Sequence, residues 1–173
     1  MLNHNLTILK ERTSVRRFKP DPVPPELLRQ LIEAATWAPS AGNLQPWFFY
    51  IVTDQHRKRC LSDAALQQNF VAEAPACIVV CAEPARSERT YGERGRVFYC
   101  LQDTAAATQN ILLASTALGL GSCWVGAFDA DKVRACLHIP DRYVPIALVP
   151  VGYPLGEPHK TQRRPPAEVA KYL

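Results

Sequence analysis

The sequence predicts one domain in which helices and strands mix without the regular strand–helix–strand alternation of a dinucleotide-binding fold. A chain of 173 residues with 47% hydrophobic content is long enough to bury a sizeable core, so a single domain over residues 1–173 is expected. Apolar residues recur at helical spacing over residues 25–36, and a nearly continuous apolar run covers residues 76–82. Gly119 and Gly121 follow a predicted helix and precede a predicted strand, the reverse of the order in a dinucleotide-binding glycine loop.

The remaining elements follow from the same periodicities. Helices are predicted at residues 5–11, 25–36, 54–64, 97–118 and 129–137, with a short helix or turn at 65–73 and Asp129 as the N-cap of the last helix. Strands are predicted at 47–53, 76–82, 122–128 and 145–152; residues 12–19 and 154–166 are predicted to be extended, and 83–96 to be a mobile excursion over the surface. Because the run at 76–82 is apolar throughout, it is expected in the middle of the sheet with both faces covered.

Charge and the amino terminus limit the classes of function. Lys and Arg total 20 against 16 acidic residues, a net charge of +4 that is too small and dispersed to indicate nucleic acid by itself and that suits an anionic small ligand equally well. The first residues lack the basic region and apolar core of a signal peptide, and no apolar run approaches the roughly 18 residues of a membrane span. A cytoplasmic protein without membrane contact is expected.

Side-chain clusters for metal binding or nucleophilic catalysis are absent from the sequence pattern. The six cysteines form no Cys-x-x-Cys pair and the four histidines no His-x-x-x-His pair, so buried reduced thiols are expected, without a metal or disulfide. No Ser-His-Asp, Cys-His or paired-carboxylate arrangement is evident. A cofactor would therefore have to supply any chemistry.

Two segments are rich in groups that bind ligands. In residues 38–50, Pro39 and Pro46 restrict the backbone around Gly42, so that Ser40, Asn43 and Gln45 can point in fixed directions; alternatively, Ser40 and Asn43 only satisfy turn backbone. Residues 12–19 carry four cations and two hydroxyls, which suits a phosphate; alternatively, they form a solvated surface anchored by Val15 and Phe18. The basic run 57–59 is expected to be a solvated face without a function.

Several short segments, in this order, resemble the nitroreductase superfamily of FMN enzymes over essentially the whole chain. They are Arg12-x-Ser14-x-Arg16-x-Phe18, Ala38-Pro39-Ser40-x-x-Asn43-x-Gln45-Pro46-Trp47, Ala74-Pro75, Gly119-Leu120-Gly121-x-Cys123-Trp124-x-Gly126, and Pro150-Val151-Gly152-Tyr153-Pro154 with Arg163 beyond. The resemblance implies a compact α+β fold, an α/β/α sandwich around a mostly antiparallel sheet. It also implies an intertwined homodimer with FMN at the interface, which would make helix 97–118, with its small residues at 104–108, the dimer seam.

The resemblance also implies roles for individual residues at the phosphate end of FMN. Arg12, Thr13 and Ser14 match positions that bind the phosphate and the ribityl chain, although Thr13 stands where many relatives carry a second base. Arg163 matches a second phosphate cation that arrives from the carboxyl-terminal tail.

At the ring end, Arg16 matches the cation beside flavin N1 and O2, where negative charge accumulates on two-electron reduction, so its role would be electrostatic. Pro39, Ser40 and Asn43 match a loop that reaches the flavin from the other subunit. Three further residues match contacts to the pyrimidine edge and to N5 and O4, namely Gln68, Val125 and Gly126.

The function implied is that of an FMN-dependent oxidoreductase in which hydride passes from NAD(P)H through flavin N5 to a nitroaromatic, quinone or similar acceptor by a ping-pong scheme. The chain lacks the long helical insertion that roofs the site in larger relatives, so a shallow pocket covered by residues 83–96 is expected. Other reactions of the superfamily remain open, namely reductive dehalogenation, enone or thiazoline redox chemistry and flavin fragmentation. So does a flavin-binding protein without turnover, while a nucleic-acid binder using residues 12–19 and 57–59 fits less well.

Overall fold

The computed structural model describes residues 6–157 and 159–173. Its helices are α1 Thr7–Glu11, α2 Pro25–Thr36, α3 Gln55–Ala64, α4 Phe70–Glu73, α5 Pro84–Arg94, α6 Cys100–Ala117 and α7 Ala130–Leu137; its strands are β1 Trp47–Val52, β2 Ala76–Ala82, β3 Gly121–Ser122 and β4 Val144–Gly152. Asn5 of the first predicted helix and Pro158 of the predicted extended tail lie outside this description. Within the described ranges, no helix is both long enough and apolar enough to span a bilayer.

The four strands form one sheet in the order β1-β2-β4-β3, and every ladder is antiparallel. Every residue of β2 is buried between its two neighbours and the covering helices, which confirms the central position predicted for residues 76–82. Residues 12–18 join this side of the sheet through two single bridges. Ser14 pairs in parallel with Ser122 of β3, and Phe18 pairs in antiparallel orientation with Pro154, just beyond β4. The α+β class with a mostly antiparallel sheet is thereby confirmed.

Helices cover both faces of the sheet. Alternate residues of β2 point in opposite directions, so Ala76, Ile78 and Val80 pack against α2 and α6, while the intervening residues pack against α3 and α7. The helical spacing predicted for residues 25–36 places Leu28, Leu31 and Ala35 in the first of these cores. The molecule is therefore an α/β/α sandwich, as the resemblance implied.

The excursion predicted at residues 83–96 is wrong, because this stretch forms α5 and the start of a π-helical turn, Gly95–Tyr99. Pro84 occupies the first turn of α5, where a missing backbone N–H costs nothing, and Gly92 adopts a φ of +58° that breaks the regular helix. Only Ser87 is buried in α5. The apolar periodicity that reveals a helix is consequently absent from its sequence.

The strand predicted at residues 122–128 is also wrong for most of its length. Regular pairing ends at Ser122; Cys123 N–H still donates to Pro150 O at 3.3 Å, and Val125 pairs again with β4, exchanging two hydrogen bonds with Leu148 of 2.9 and 3.0 Å. Cys123 and Val125 are buried whereas Trp124 is 37% exposed, so the alternation of a strand persists without its ladder. The chain then leaves the sheet towards α7, whose predicted N-cap is confirmed: the Asp129 carboxylate accepts hydrogen bonds from the Asp131 and Lys132 N–H groups.

The basic run at residues 57–59 is not uniformly solvated. Lys58 is buried, and its Nζ donates hydrogen bonds to the carbonyl oxygens of Ala74, at 2.6 Å, and Pro75, at 3.3 Å. Burial lowers the pKa of this ammonium group. Lys58 therefore fixes the connection between α4 and β2, and a solvated role fits only its exposed neighbours Arg57 and Arg59.

The expectation of six reduced cysteines is wrong for one pair. Cys60 of α3 and Cys136 of α7 form a disulfide across a sequence separation of 76, with their Cα atoms 5.9 Å apart. The other four cysteines are free and buried, as expected, and burial raises the pKa of Cys77 and Cys81 to about 12. Spacing along the sequence cannot reveal a pair that only the packing of two helices brings together.

Replacing both bridged cysteines, Cys60→Ser with Cys136→Ser, is expected to lower the free energy of unfolding. Closing a loop of 76 residues restricts the unfolded chain by an amount equivalent to about 4 kcal/mol, which corresponds to a fall in Tm of roughly 10 °C for a chain of this size. Calorimetry with and without a thiol reductant measures the effect. Reductant should lower the Tm of the wild type to that of the double variant and leave the double variant unchanged; a wild type insensitive to reductant would contradict the bridge.

Candidate functional site

The predicted phosphate-binding residues surround one cavity. A space of about 160 Å³, called here the phosphate cavity after the ligand expected from the sequence, is lined by seven residues: Arg12, Thr13, Ser14, Arg16, His159, Thr161 and Arg163. Four of these were predicted at the phosphate end, Arg16 was predicted at the ring end, and no acidic residue is among the seven. The cavity is therefore cationic and rich in hydroxyl groups.

Backbone pairing explains why two segments so distant in sequence meet here. Val15 N–H donates to Ser122 O at 2.9 Å, Lys19 N–H to Tyr153 O at 2.8 Å, and Leu155 N–H to Arg17 O at 2.9 Å. Residues 12–19 are thus laid along both β3 and the stretch that leaves β4, and that stretch continues into the tail that carries Arg163. Val15 and Phe18 are buried anchors, as the alternative for residues 12–19 predicted, while Ser14 and Arg16 remain exposed.

Two glycines allow this close approach. A Cβ added at Gly121 would lie 2.7 Å from Val15 Cγ2, and one added at Gly152 would lie within 3.1 Å of both Phe18 and Pro75. Any larger residue at either position would push the 12–19 segment away from the sheet edge. The two glycines therefore determine where Ser14 and Arg16 sit.

His159 and Thr161 were missed by the sequence analysis. Thr161 holds the Arg163 guanidinium through both its carbonyl oxygen, at 3.2 Å, and its hydroxyl oxygen. A neighbouring cavity of about 300 Å³ shares Arg12 and Arg163 and adds two lysines, Lys10 and Lys160. The nearness of Thr161 to Arg163 in the sequence was the one signal that could have indicated its role; His159 carries no such signal.

The residues predicted for the ring end also lie close to one another. Gln68 Nε2 donates to Ala65 O at 2.9 Å and to Ala127 O at 3.1 Å, which ties the turn before α4 to the residue that follows Gly126. A Cβ added at Gly126 would meet only Trp124 Nε1, at 4.0 Å, so the surface over this glycine is open. Gln68, Val125 and Gly126 thus share one face of the molecule.

Arg16 connects this face to the phosphate cavity. Its guanidinium carbon lies 5.9 Å from the centre of the Phe70 ring, at the start of α4. Burial raises the pKa of Cys123, while the positive charge of Arg16 lowers it, so Arg16 lies near the 123–126 segment. Within residues 6–157 and 159–173, no carboxylate lies within 4.0 Å of the Arg16 guanidinium.

The loop formed by residues 39–45, called here the 39–45 loop, is locally well ordered. Ser40 Oγ accepts from Gln45 N–H at 3.0 Å, and Asn43 Oδ1 accepts from Gln45 Nε2 at 3.2 Å. Gly42, Asn43 and Gln45 all have positive φ, of +56°, +55° and +52°. Ser40 therefore does satisfy turn backbone, the alternative left open by the sequence.

Within one chain, the 39–45 loop and Ser14 lie at opposite corners of the sheet. The loop leads into β1 at Trp47, which pairs with Ala82 at one end of β2. Ser14 bridges Ser122 of β3. The β4 residue that pairs with Ser122 also pairs with Ala76, at the other end of β2. β1 and β3 are also opposite edges. Strand spacing and rise place the two corners roughly 25 to 30 Å apart.

Helices α5 and α6 both hold the 39–45 loop. Ala41 N–H donates to Asp103 Oδ1 of α6 at 3.1 Å, and Arg86 Nε of α5 donates to Leu44 O. A Cβ added at Gly42 would lie 2.6 Å from the Tyr91 hydroxyl oxygen, so α5 lies directly over the loop. Asp103 is buried with its second oxygen unpartnered, and burial raises the pKa of its carboxyl group.

Comparison with known proteins defines the class. The model of the Nitroreductase family matches residues 9–73 and 61–153. The chain therefore belongs to the nitroreductase family, which confirms the resemblance.

Individual relatives agree with this assignment. NADH dehydrogenase of Thermus thermophilus is 37% identical to the chain, over 92% of this chain and 91% of that protein. FMN reductase (NADPH) of Bacillus subtilis is 28% identical, over 95% of this chain and 71% of that protein. The crystal structure of a nitroreductase family protein from Streptococcus pneumoniae superimposes with a TM-score of 0.89 at 28% identity, over 98% of this chain and 100% of that one.

Proposed function

We propose that this chain, as a single domain spanning residues 1–173, is an FMN-dependent oxidoreductase that passes hydride from NAD(P)H to a nitroaromatic, quinone or similar electrophilic acceptor by a ping-pong scheme. The family and its relatives named FMN reductase and NADH dehydrogenase support an NAD(P)H-dependent oxidoreductase with FMN as cofactor. When bound, FMN would supply the redox chemistry at its N5 atom. The chain's own residues would bind the flavin, orient it and set its electrostatic environment.

The phosphate cavity is the observation that carries this proposal. A phosphate monoester has about −1.5 to −2 charges at pH 7 and accepts hydrogen bonds on three oxygens. The cavity offers the matching donors: guanidinium groups from Arg12 and Arg163, on separate segments, and hydroxyl groups from Thr13, Ser14 and Thr161. The donor set therefore fits the phosphate of FMN.

The neighbouring face fits the flavin ring. Arg16 would supply positive charge without a competing carboxylate, and Gln68 would present a side-chain amide beside the open surface of Gly126. Such fixed charges and dipoles favour the form of the ring that carries negative charge. We propose that Arg16 is this cation and that Val125 and Gly126 approach the ring with their backbone.

The separation between the two corners of the sheet supports a site shared by two subunits. We propose that Pro39, Ser40 and Asn43 reach the flavin held by the phosphate cavity of a second copy, because within one chain they lie roughly 25 to 30 Å from Ser14. Tyr91 and its neighbours in α5 would then cover the acceptor side of that flavin. The site would be incomplete in a monomer.

Anaerobic spectroscopy followed by an acceptor panel tests the function. The purified protein is expected to show an oxidised flavin spectrum, to bleach with NAD(P)H under anaerobic conditions, and to regain its colour when a nitroaromatic or quinone is added. Light scattering should give about twice the chain mass of 19.3 kDa. A flavin spectrum that NAD(P)H fails to bleach would indicate a carrier without turnover, and a flavin-loaded monomer would contradict the shared site.

Arg12→Ala and Arg163→Ala are each expected to weaken FMN binding much more than riboflavin binding, because riboflavin lacks the phosphate. Losing one charge-assisted hydrogen bond costs roughly 1.5 to 3 kcal/mol, or about a 10- to 100-fold rise in Kd. Titration of the flavin-free protein by fluorescence quenching measures both ligands. Lys19→Ala is the matched control, since Lys19 is an exposed cation of the same segment that does not line the phosphate cavity; equal losses for FMN and riboflavin would place the phosphate elsewhere.

Arg16→Gln is expected to retain FMN but to lower its two-electron reduction potential, because the reduced ring loses a nearby positive charge while the oxidised ring loses only a hydrogen bond. A differential loss of about 1.4 kcal/mol corresponds to roughly 30 mV for two electrons. Reduction by NAD(P)H should slow accordingly.

Potentiometric titration of the wild type, Arg16→Gln and the neighbouring control Arg17→Gln measures this effect. The Arg17 variant should keep the wild-type midpoint. An unchanged midpoint in Arg16→Gln with FMN fully bound would remove Arg16 from the flavin ring, and a change only in thermal stability would mark it as a surface residue.

A further inference from the structure

We propose that Asp103 is a positioning residue of the flavin site: its carboxylate fixes the 39–45 loop in the conformation that Ser40 and Asn43 need to meet the flavin ring of the partner subunit. The part of this inference that concerns the flavin ring rests on the proposed function. The part that concerns the loop rests on contacts within one chain. Asp103 lies on α6, 62 residues from Ala41 in sequence, and is 6% exposed. No pattern in the sequence marks this aspartate.

The hydrogen bonds of the 39–45 loop single out Asp103. Asn43 N–H bonds to Ser40 O, Leu44 N–H to Ala41 O, and Gln45 N–H to Ser40 Oγ, so these donors are satisfied inside the loop. The Ala41 N–H instead bonds to Asp103 Oδ1 at 3.1 Å. Among the described residues, this is the bond by which a loop N–H group reaches another element.

The conformation that this bond supports is costly on its own. Asn43 and Gln45 adopt positive φ although neither is glycine, and residues in such regions persist only where the surroundings over-determine them. Tyr91 over Gly42 and Arg86 on Leu44 hold the outer side of the loop. Asp103 holds its inner side, beneath Ala41, the residue between Ser40 and Gly42.

Asp103 itself is poorly compensated by its surroundings. Its Oδ2 atom is buried without a partner among the described residues, and none of the ion pairs found there includes Asp103. A buried carboxylate with half of its acceptors unused destabilises a fold compared with an apolar residue of similar size. A role in folding stability alone therefore does not explain Asp103, whereas a role in positioning the loop does.

The test replaces Asp103 by a residue that fits the space but cannot accept a hydrogen bond. Asp103→Leu should unfold at a temperature equal to or above that of the wild type, yet backbone amides of the 39–45 loop should exchange with solvent at least tenfold faster in the flavin-free protein. In the same variant, FMN, riboflavin and lumiflavin should all bind about tenfold more weakly, by the same factor, because the loop meets the ring and not the phosphate. Arg12→Ala, in contrast, should weaken FMN much more than riboflavin or lumiflavin.

Two further variants separate positioning from general damage. Asp103→Asn keeps an acceptor without the charge and should recover most of the affinity for all three flavins and most of the exchange protection. Ser115→Ala removes a buried hydroxyl of α6 that bonds only within the helix, to Ile111 O, outside the small-residue stretch 104–108, and should lower the Tm while leaving loop exchange and flavin binding unchanged.

The outcomes distinguish this inference from the proposed function. Unchanged loop exchange in Asp103→Leu would overturn the inference, whether or not flavin binds. Faster exchange with unaltered binding of all three flavins would also overturn it, because the loop would then be held by Asp103 but would not serve the ring. A wild-type protein that binds none of the three flavins would instead overturn the proposed function.

Discussion

The fold depends first on the burial of β2 from both faces. Its apolar side chains alternate between two helical layers, so each layer is fixed to the same strand and the two cannot shift independently. β1 and β4 pair with β2 along its length, whereas β3 reaches the sheet through β4 over only two residues. The site is built where this regular structure ends: residues 12–19, residues 123–126 and the tail all attach near β3, where backbone groups remain available for irregular partners.

Side chains with no chemistry of their own position the ligand-binding groups. Val15 and Phe18 anchor the segment that carries Ser14 and Arg16, and both anchors fit only because Gly121 and Gly152 leave space for them. Lys58 and the Cys60–Cys136 bridge act in the same way on the other layer, since they fix α3 and α7, between which the Gln68 turn meets Ala127. Lys58, one cation of a basic run, and the bridged cysteines, which are far apart in sequence, thus have structural roles.

Sequence periodicity was sufficient wherever burial dictates the pattern. It located α2, α7 and the three longer strands because one or both of their faces are apolar, and it failed at α5 because almost none of that helix is buried. For the candidate site, ordered segments predicted which residues of the 12–16 stretch and of the tail would share a cavity. His159, Asp103 and the disulfide could not be predicted, since each depends on contacts between residues that are far apart in sequence or carry no local pattern.

The sheet geometry also restricts how a complete site can form. The two regions proposed to bind the ligand occupy opposite edges and opposite ends, and a rigid sandwich with a core on each face cannot bend to bring them together. The proposed two-fold pairing of identical chains would do so without deformation, because each copy would offer its phosphate cavity to one ligand and its 39–45 loop to the other. Such a pairing would favour a loop that is already rigid in the single chain. A loop that became ordered only on assembly would lose conformational entropy at that step, and this cost would weaken both subunit association and flavin binding. The hydrogen bond from Ala41 to a buried carboxylate on α6 orders the loop in advance, within a single chain.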